Sequence, residues 1–283
     1  INGECDLEKL TNDEQKTIAL IKAWLSGKSE FHFATSGSTG TPKAITHSRD
    51  QLRKSARRTM DFFSINSGNT LLACLNTEMI AGAMMVIRAL EADCNLIIES
   101  PKVNPLANLP AETTIDFMAV TPIQMESILQ ESANSLKQIR TILIGGAGLH
   151  PELEGKLQLV QPKIFISYAM TETITHVAVR PVNGPQKSDN YHALAGVTFT
   201  INDDSCLVIR DVALGIEQLE TNDIVELIDE ATFRWLGRRD NIINSGGIKI
   251  QVEWAEIQIK EILSEHQLHN PFCLCGVSKT RIT

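Results

Sequence analysis

The chain has 283 residues, with 34 acidic against 26 basic side chains and a net charge of −8, and its pI is near 5.4. That balance argues against a nucleic-acid binder or an anionic-membrane protein, so any anionic ligand must be held by local donors. With 43% apolar residues it can bury a large core, as one big domain or a big one with a smaller companion.

The first predicted element is a helix introduced by Thr11 and Glu14, a capping-box pair, with Ile18, Ile21 and Leu25 on one face. A short apolar strand at Phe33 then runs into Thr35–Lys43. In this loop Gly37 and Gly40 permit backbone angles closed to other residues, and Thr35, Ser36, Ser38, Thr39 and Thr41 offer hydroxyls. With Lys43 beyond the rigid Pro42, the stretch reads as a loop that wraps a polyphosphate. It is not a Walker A loop, because Thr41 and Pro42 separate the last glycine from the lysine. Ser48 is placed to cap a second helix ending near Phe63, whose outer face carries Arg49, Arg53, Lys54, Arg57 and Arg58. The apolar run Met79 to Leu90 is interrupted by Arg88 and is too short to cross a bilayer, so no membrane insertion is expected.

From there strands and helices alternate. Strands are predicted at Leu71–Leu75, Asn95–Ile98, Ile115–Val120, Thr141–Ile144 and Lys163–Ser167, with helical patterns at Ile80–Leu90, Pro122–Leu129 and Pro151–Val160. Such alternation implies a parallel sheet covered by helices, with ligands at the carboxyl ends of the strands. Two loops fall there besides Thr35–Lys43: Gly145–Gly148 (GGAG) and Tyr168–Thr173 (YAMTET). Beyond Thr175 the strands become short and closely spaced, as in an antiparallel subdomain. The six cysteines lie mostly in apolar stretches of a chain too large to need disulfide staples, which points to a reducing, cytoplasmic setting. The chain begins at Ile1 and shows no signal-peptide pattern. His266, His269, Cys273 and Cys275 do not have zinc-site spacing.

The loop TSGSTGTPK resembles the phosphate-loop signature of the adenylate-forming enzymes, the superfamily of acyl- and aryl-CoA synthetases, luciferases and peptide-synthetase adenylation domains. YAMTET resembles that family's YGMTE segment, with Ala169 in place of glycine, and TNDIVEL resembles its TGD segment, with Asn222 in place of glycine. GRRD at Gly237–Asp240 resembles its hinge. The resemblance implies that Thr35, Ser36, Gly37, Ser38, Thr39, Gly40 and Lys43 hold the ATP phosphates, that Thr171 meets the α-phosphate, and that Glu172 takes the magnesium of MgATP. It also implies that Gly145, Gly146, Ala147 and Tyr168 line the adenine, that Asp223 and Arg238 hold the ribose, and that Asp240 is the pivot between domains.

Two readings narrow the choice. Asn241–Ile250, NIINSGGIKI, and Asn76–Ala81, NTEMIA, look most like the o-succinylbenzoate-CoA ligases of menaquinone synthesis; a stand-alone enzyme that loads a carrier-protein thiol is the alternative. An acyl substrate with a second carboxylate needs a cation, for which Arg88 is the candidate, with an ion pair to Glu91 or Glu99 as the structural alternative. His176 could face the acyl group beside Gly146 or be a satisfied strand histidine. The expected partners are therefore ATP, a small carboxylic acid and coenzyme A; the basic helix face reads first as a solvated face, with attraction of coenzyme A as the alternative. The expected fold is α/β: a large domain over residues 1–237 and a hinge with a partial α+β small domain over 238–283. The family carries a lysine near its C-terminus that nothing around Lys279 resembles, so these residues alone are expected to bind ATP but adenylate slowly.

Overall fold

The computed structural model describes residues 10–34, 44–110, 112–245, 248–266, 268 and 272–274. The chain packs as two compact units, Ile1–Asp189 with Ala193–Gly196 and Asn190–His192 with Val197–Thr283.

The first unit opens with α1 (Asn12–Leu25), where the Glu14 N–H donates to Thr11 Oγ1 and the Thr11 N–H to the Glu14 carboxylate, the capping box read from sequence. β1 (Glu30–Ala34) and β2 (Ala44–Ser48) follow as an antiparallel hairpin in which Ala34 faces Ala44. The connecting stretch Thr35–Lys43 lies outside the described residues. α2 (Arg49–Phe63) starts at Ser48, whose hydroxyl accepts from the Gln51 N–H.

Next come β3 (Thr70–Ala73), α3 (Ile80–Glu91), β4 (Asn95–Ile98), β5 (Ile115–Val120), α4 (Pro122–Glu131), β6 (Ile139–Ile144), α5 (Pro151–Leu157), β7 (Lys163–Ala169) and β8 (His176–Pro181). In space the strands run β8-β7-β6-β5-β3-β4; β8 is antiparallel to β7 and the other pairs are parallel. The parallel strands are short apolar runs, and a helix separates β3 from β4, β5 from β6 and β6 from β7, while β4 runs on to β5 without one. The core lies where α2 and α3 cover it: the Phe63 ring sits 5.0 Å from Phe117 and 5.1 Å from Phe165. Residues Gly82–Ala89 of α3 are all buried, Arg88 among them.

The basic face of α2 is largely used inside the unit. Arg53 reaches Glu91 at 2.9 Å and Arg57 at 3.8 Å, while the Arg49 guanidinium lies 4.0 Å over the Trp24 ring and Lys54 pairs with Asp50. Glu91 also accepts from Trp24 Nε1, so one carboxylate ties α1, α2 and α3 together.

The second unit is antiparallel. β9 (Tyr191–Ala193) pairs with β13 (Thr232–Arg238), and β10 (Val197–Ile201), β11 (Cys206–Asp211), β12 (Ile216–Asp229) and β13 are neighbours in sequence order. Its centre is Phe233, stacked on Tyr191 at 5.3 Å and edge-on to Phe199 at 5.0 Å. A hairpin of β14 (Ile242–Ser245) and β15 (Ile248–Gln251) leads into α6 (Val252–Glu265). Among the described residues no helix is long and apolar enough to cross a membrane.

Gly82 sets how closely α3 approaches the loop after β3. A Cβ there would fall 2.2 Å from the Asn76 carbonyl oxygen and 2.7 Å from that of Leu75. Gly→Ala in a helix interior normally gains about 1 kcal/mol; here Gly82→Ala should instead destabilise by about 1–3 kcal/mol, because backbone has to move. Urea unfolding reads the sign, and an equal or higher midpoint would show that the loop yields freely.

Candidate active site

In the first unit, two loops at the carboxyl ends of β6 and β7 carry candidate site residues. After β6, the Gly145 N–H donates to the Val120 carbonyl at 3.0 Å, and a Cβ on Gly145 would meet Ser167 Oγ at 2.6 Å. Gly146 has φ +90°, a conformation that side chains oppose. Gly146, Ala147 and Gly148 are exposed, presenting bare backbone to a ligand.

After β7, with Tyr168 half-buried, Thr171–Thr173 make a single 3₁₀ turn. Ile174 then adopts φ 69° and ψ −62°, and the Thr175 N–H donates to the Thr173 carbonyl at 2.7 Å. A β-branched residue in this γ-turn stores about 1–3 kcal/mol. The turn buries Thr173 and Ile174 while leaving Thr171 half-buried and the Glu172 carboxylate exposed. His47 of β2, which the sequence reading passed over, lies 2.9 Å by its Nε2 from the Thr171 carbonyl. Its signal was the alternation in β1 and β2 that buries Phe31, Phe33 and His47 while exposing His32 and Thr46.

Between α2, α3 and β8 lies a buried polar group. Arg88 is 2% exposed, its Nε has no hydrogen-bond partner, and its Nη1 lies 3.6 Å from Met85 Sδ. The ion pair offered as its structural alternative does not form: Glu91 is held by Arg53, Arg57 and Trp24, and Glu99 by Lys102 at 2.9 Å. Burial pushes the guanidinium down to about 9, still charged at neutral pH. His176 is 2% exposed, with Nε2 3.3 Å from Thr59 Oγ1. The Thr59 hydroxyl donates to the Ser55 carbonyl at 3.1 Å and so accepts the His176 N–H, leaving Nδ1 without its proton. Burial first, then the charges of Arg88 and Arg58, hold His176 well below the usual histidine range.

In the second unit β12 and β13 bring Asp223 and Arg238 opposite one another. Asp223 is 7% exposed and accepts from Trp235 Nε1 at 3.1 Å, another contact the sequence reading missed. Arg238 Nη1 stands 3.9 Å from Asp223, but the guanidinium fork is bound to Asp240 by two hydrogen bonds of 2.9 Å. That bond chiefly holds the Asp240 carboxyl below the ordinary aspartate range. Thr35, Ser36, Gly37, Ser38, Thr39, Gly40 and Lys43 lie outside the described residues.

Residues 31–211 match the model of the family described as AMP-binding enzyme. The chain is 24% identical over 250 residues to a 2-succinylbenzoate–CoA ligase of Haemophilus influenzae, covering 83% of this chain and 53% of the relative. It spans about half the length of the curated relatives it matches. Among solved structures, an acyl-CoA synthetase (AMP-forming)/AMP-acid ligase II-like protein from Dyadobacter fermentans shares 36% identity at a TM-score of 0.76, over 94% of this chain and 77% of the other. An o-succinylbenzoate coenzyme A synthetase of Bacillus subtilis, in complex with ATP and magnesium, has the same fold at 19% identity and a TM-score of 0.69, over 83% and 55% of the two chains.

The buried neutral histidine has a pH signature. His176 binds its proton far more readily unfolded, where its midpoint is about 6.5, so its contribution to stability is complete above that pH and declines as pH falls through it. The melting temperature should therefore drop between pH 7.5 and 5.5, and His176→Gln should flatten the slope. A slope unaltered by the substitution would mean that His176 binds its proton equally well in the folded and unfolded protein.

Proposed function

This chain belongs to the AMP-binding enzyme family, and on that premise we propose that it takes part in the ATP-dependent activation of a carboxylic acid, o-succinylbenzoate, to its coenzyme A thioester. The acid's carboxylate oxygen attacks the α-phosphorus of ATP and pyrophosphate leaves; the thiol sulfur then attacks the acyl carbonyl and AMP leaves. Neither step needs a nucleophile from the protein, which aligns the reactants and stabilises charge on the phosphate oxygens. In this reading Lys43 and the preceding loop hold the β- and γ-phosphates and Thr171 meets the α-phosphate. The exposed carboxylate of Glu172 suits a hard cation such as the magnesium that accompanies ATP and neutralises its phosphates. Tyr168 and Gly145–Ala147 lie against the adenine, and Asp223 receives the ribose hydroxyls. Arg238 joins Asp223 when it releases Asp240, the pivot between residues 1–237 and 238–283.

The observation that carries the choice of acid is Arg88, a buried guanidinium with no carboxylate partner among the described residues. An uncompensated buried charge is costly, and a substrate's distal carboxylate would compensate it. His176, held neutral beside it, adds no second charge and shapes the polar end of the acyl pocket. Relatives named 2-succinylbenzoate–CoA ligase in four bacteria support the same acid. The thioester then belongs to menaquinone synthesis in the cytoplasm.

With coenzyme A as the sole thiol, the natural full-length protein should release pyrophosphate with o-succinylbenzoate far faster than with benzoate. Glu172→Gln should lower adenylation about a hundredfold with the fold intact; an unchanged rate at saturating ATP and magnesium would remove Glu172 from the site. Arg88→Ala should erase most of the preference for the dicarboxylate, a charge-assisted hydrogen bond being worth about 1.5–3 kcal/mol. Equal losses toward both acids would instead mark Arg88 as structural.

A further inference from the structure

His47 stands on β2, which begins immediately after Lys43, and its side chain points inward: it is 5% exposed, directly across the hairpin from Phe31, with its ring 6.4 Å from that of Phe33. Its Nε2 lies 2.9 Å from the Thr171 carbonyl, 124 residues further along the chain. A carbonyl oxygen only accepts, so Nε2 carries the proton and the imidazole is the donor. The acceptor is the first carbonyl of the turn that bears Glu172, and it also receives the Ile174 N–H at 3.1 Å.

The turn is strained: Thr173 and Ile174 are buried and Ser55 of α2 lies 2.8 Å from the Thr175 hydroxyl, but that bond falls beyond Thr171 and Glu172. Ile174, at φ 69°, is in a conformation that a β-branched residue leaves when nothing opposes it. The hydrogen bonds of Thr173, to Met170 and to Thr175, lie within the segment and can shift with it. The bond from His47 comes from a different element and anchors the turn against the hairpin. Burial also keeps His47 below the usual histidine range, so at neutral pH it is an uncharged donor that adds no positive charge beside Glu172.

We propose that His47 is a positioning residue: through the Thr171 carbonyl it fixes the strained turn so that Thr171 and Glu172 keep their aim at the nucleotide's α-phosphate and metal. The proposal rests on the role given above to Glu172. It joins β2, which follows the phosphate-loop motif in the sequence, to the turn that bears Glu172.

Paired substitutions in the full-length protein test this. His47→Gln keeps an N–H where imidazole Nε2 was, whereas the shorter amide of His47→Asn falls at the Nδ1 position and leaves the carbonyl without its donor. Pyrophosphate release at saturating ATP should fall about tenfold in His47→Asn, the scale of one hydrogen bond lost from the transition state. The magnesium concentration for half-maximal rate should rise several-fold, while His47→Gln stays within about twofold of the parent on both measures. In a Glu172→Gln background the Asn defect should nearly vanish, since the carboxylate it aims is already gone. Equal behaviour of Asn and Gln, a full Asn defect in the Glu172→Gln background, or a lowered melting temperature with an unshifted magnesium requirement would each overturn the proposal. Failure of the functional reading looks different: Glu172→Gln alone would then be as active as the parent, and both ideas would fall together.

Discussion

A parallel strand cannot be followed directly by its neighbour; the chain has to cross back over the sheet, and it does so here through α4 and α5. Every crossover therefore leaves from the same edge, and the segments after β5, β6 and β7 are delivered side by side. The Gly145 N–H bonds to the Val120 carbonyl at the end of β5, and Ser167 of β7 donates to the Ile144 carbonyl of β6, so the three strand ends are fastened together. The exposed backbone at Gly146–Gly148 and the Glu172 turn follow from that constraint and from no attraction between the motifs themselves.

The scaffold beneath that edge tolerates features that would be costly alone. Ile174 is strained, Arg88 is buried without a carboxylate among the described residues, and His176 is kept neutral in the interior. Against these stand the Phe63, Phe117 and Phe165 cluster and the apolar face of α3, which bury large side chains at about 25 cal/mol for each square ångström removed from water. Local conflict set in a core that is otherwise consistent is the pattern expected where residues are kept for a task. Arg180 and Glu154 show the contrast. They too are largely buried, but they meet through two hydrogen bonds of 2.8 and 3.0 Å, and such a pair needs no ligand to complete it.

In the second unit, proximity is not engagement. Asp223 and Arg238 face each other in the ladder, yet the guanidinium is turned onto Asp240. Both members of that pair are substantially exposed, so the interaction is screened and weak.

Much of this was legible without coordinates. The strand and helix alternation, the capping box at Thr11, the helix cap at Ser48, and the glycine-bearing turns are written within a few residues of one another, and local backbone chemistry reads them in that form. The motif residues belong to the same class, since their spacing along the chain is itself the signal. What the sequence could not settle was which of several charged groups meet. Arg88 had Glu91 and Glu99 close by in the chain, and only the packing of α1 and α2 on α3 gave Glu91 to Arg53, Arg57 and Trp24. The bond from His47 to Thr171 joins two elements 124 residues apart, and Trp235 reaches Asp223 across a ladder. The sequence by itself determined the elements and the chemical character of the loops, because those depend on neighbours along the backbone; the tertiary structure alone decided the partners of the buried polar groups, because desolvation acts on whatever folding brings together.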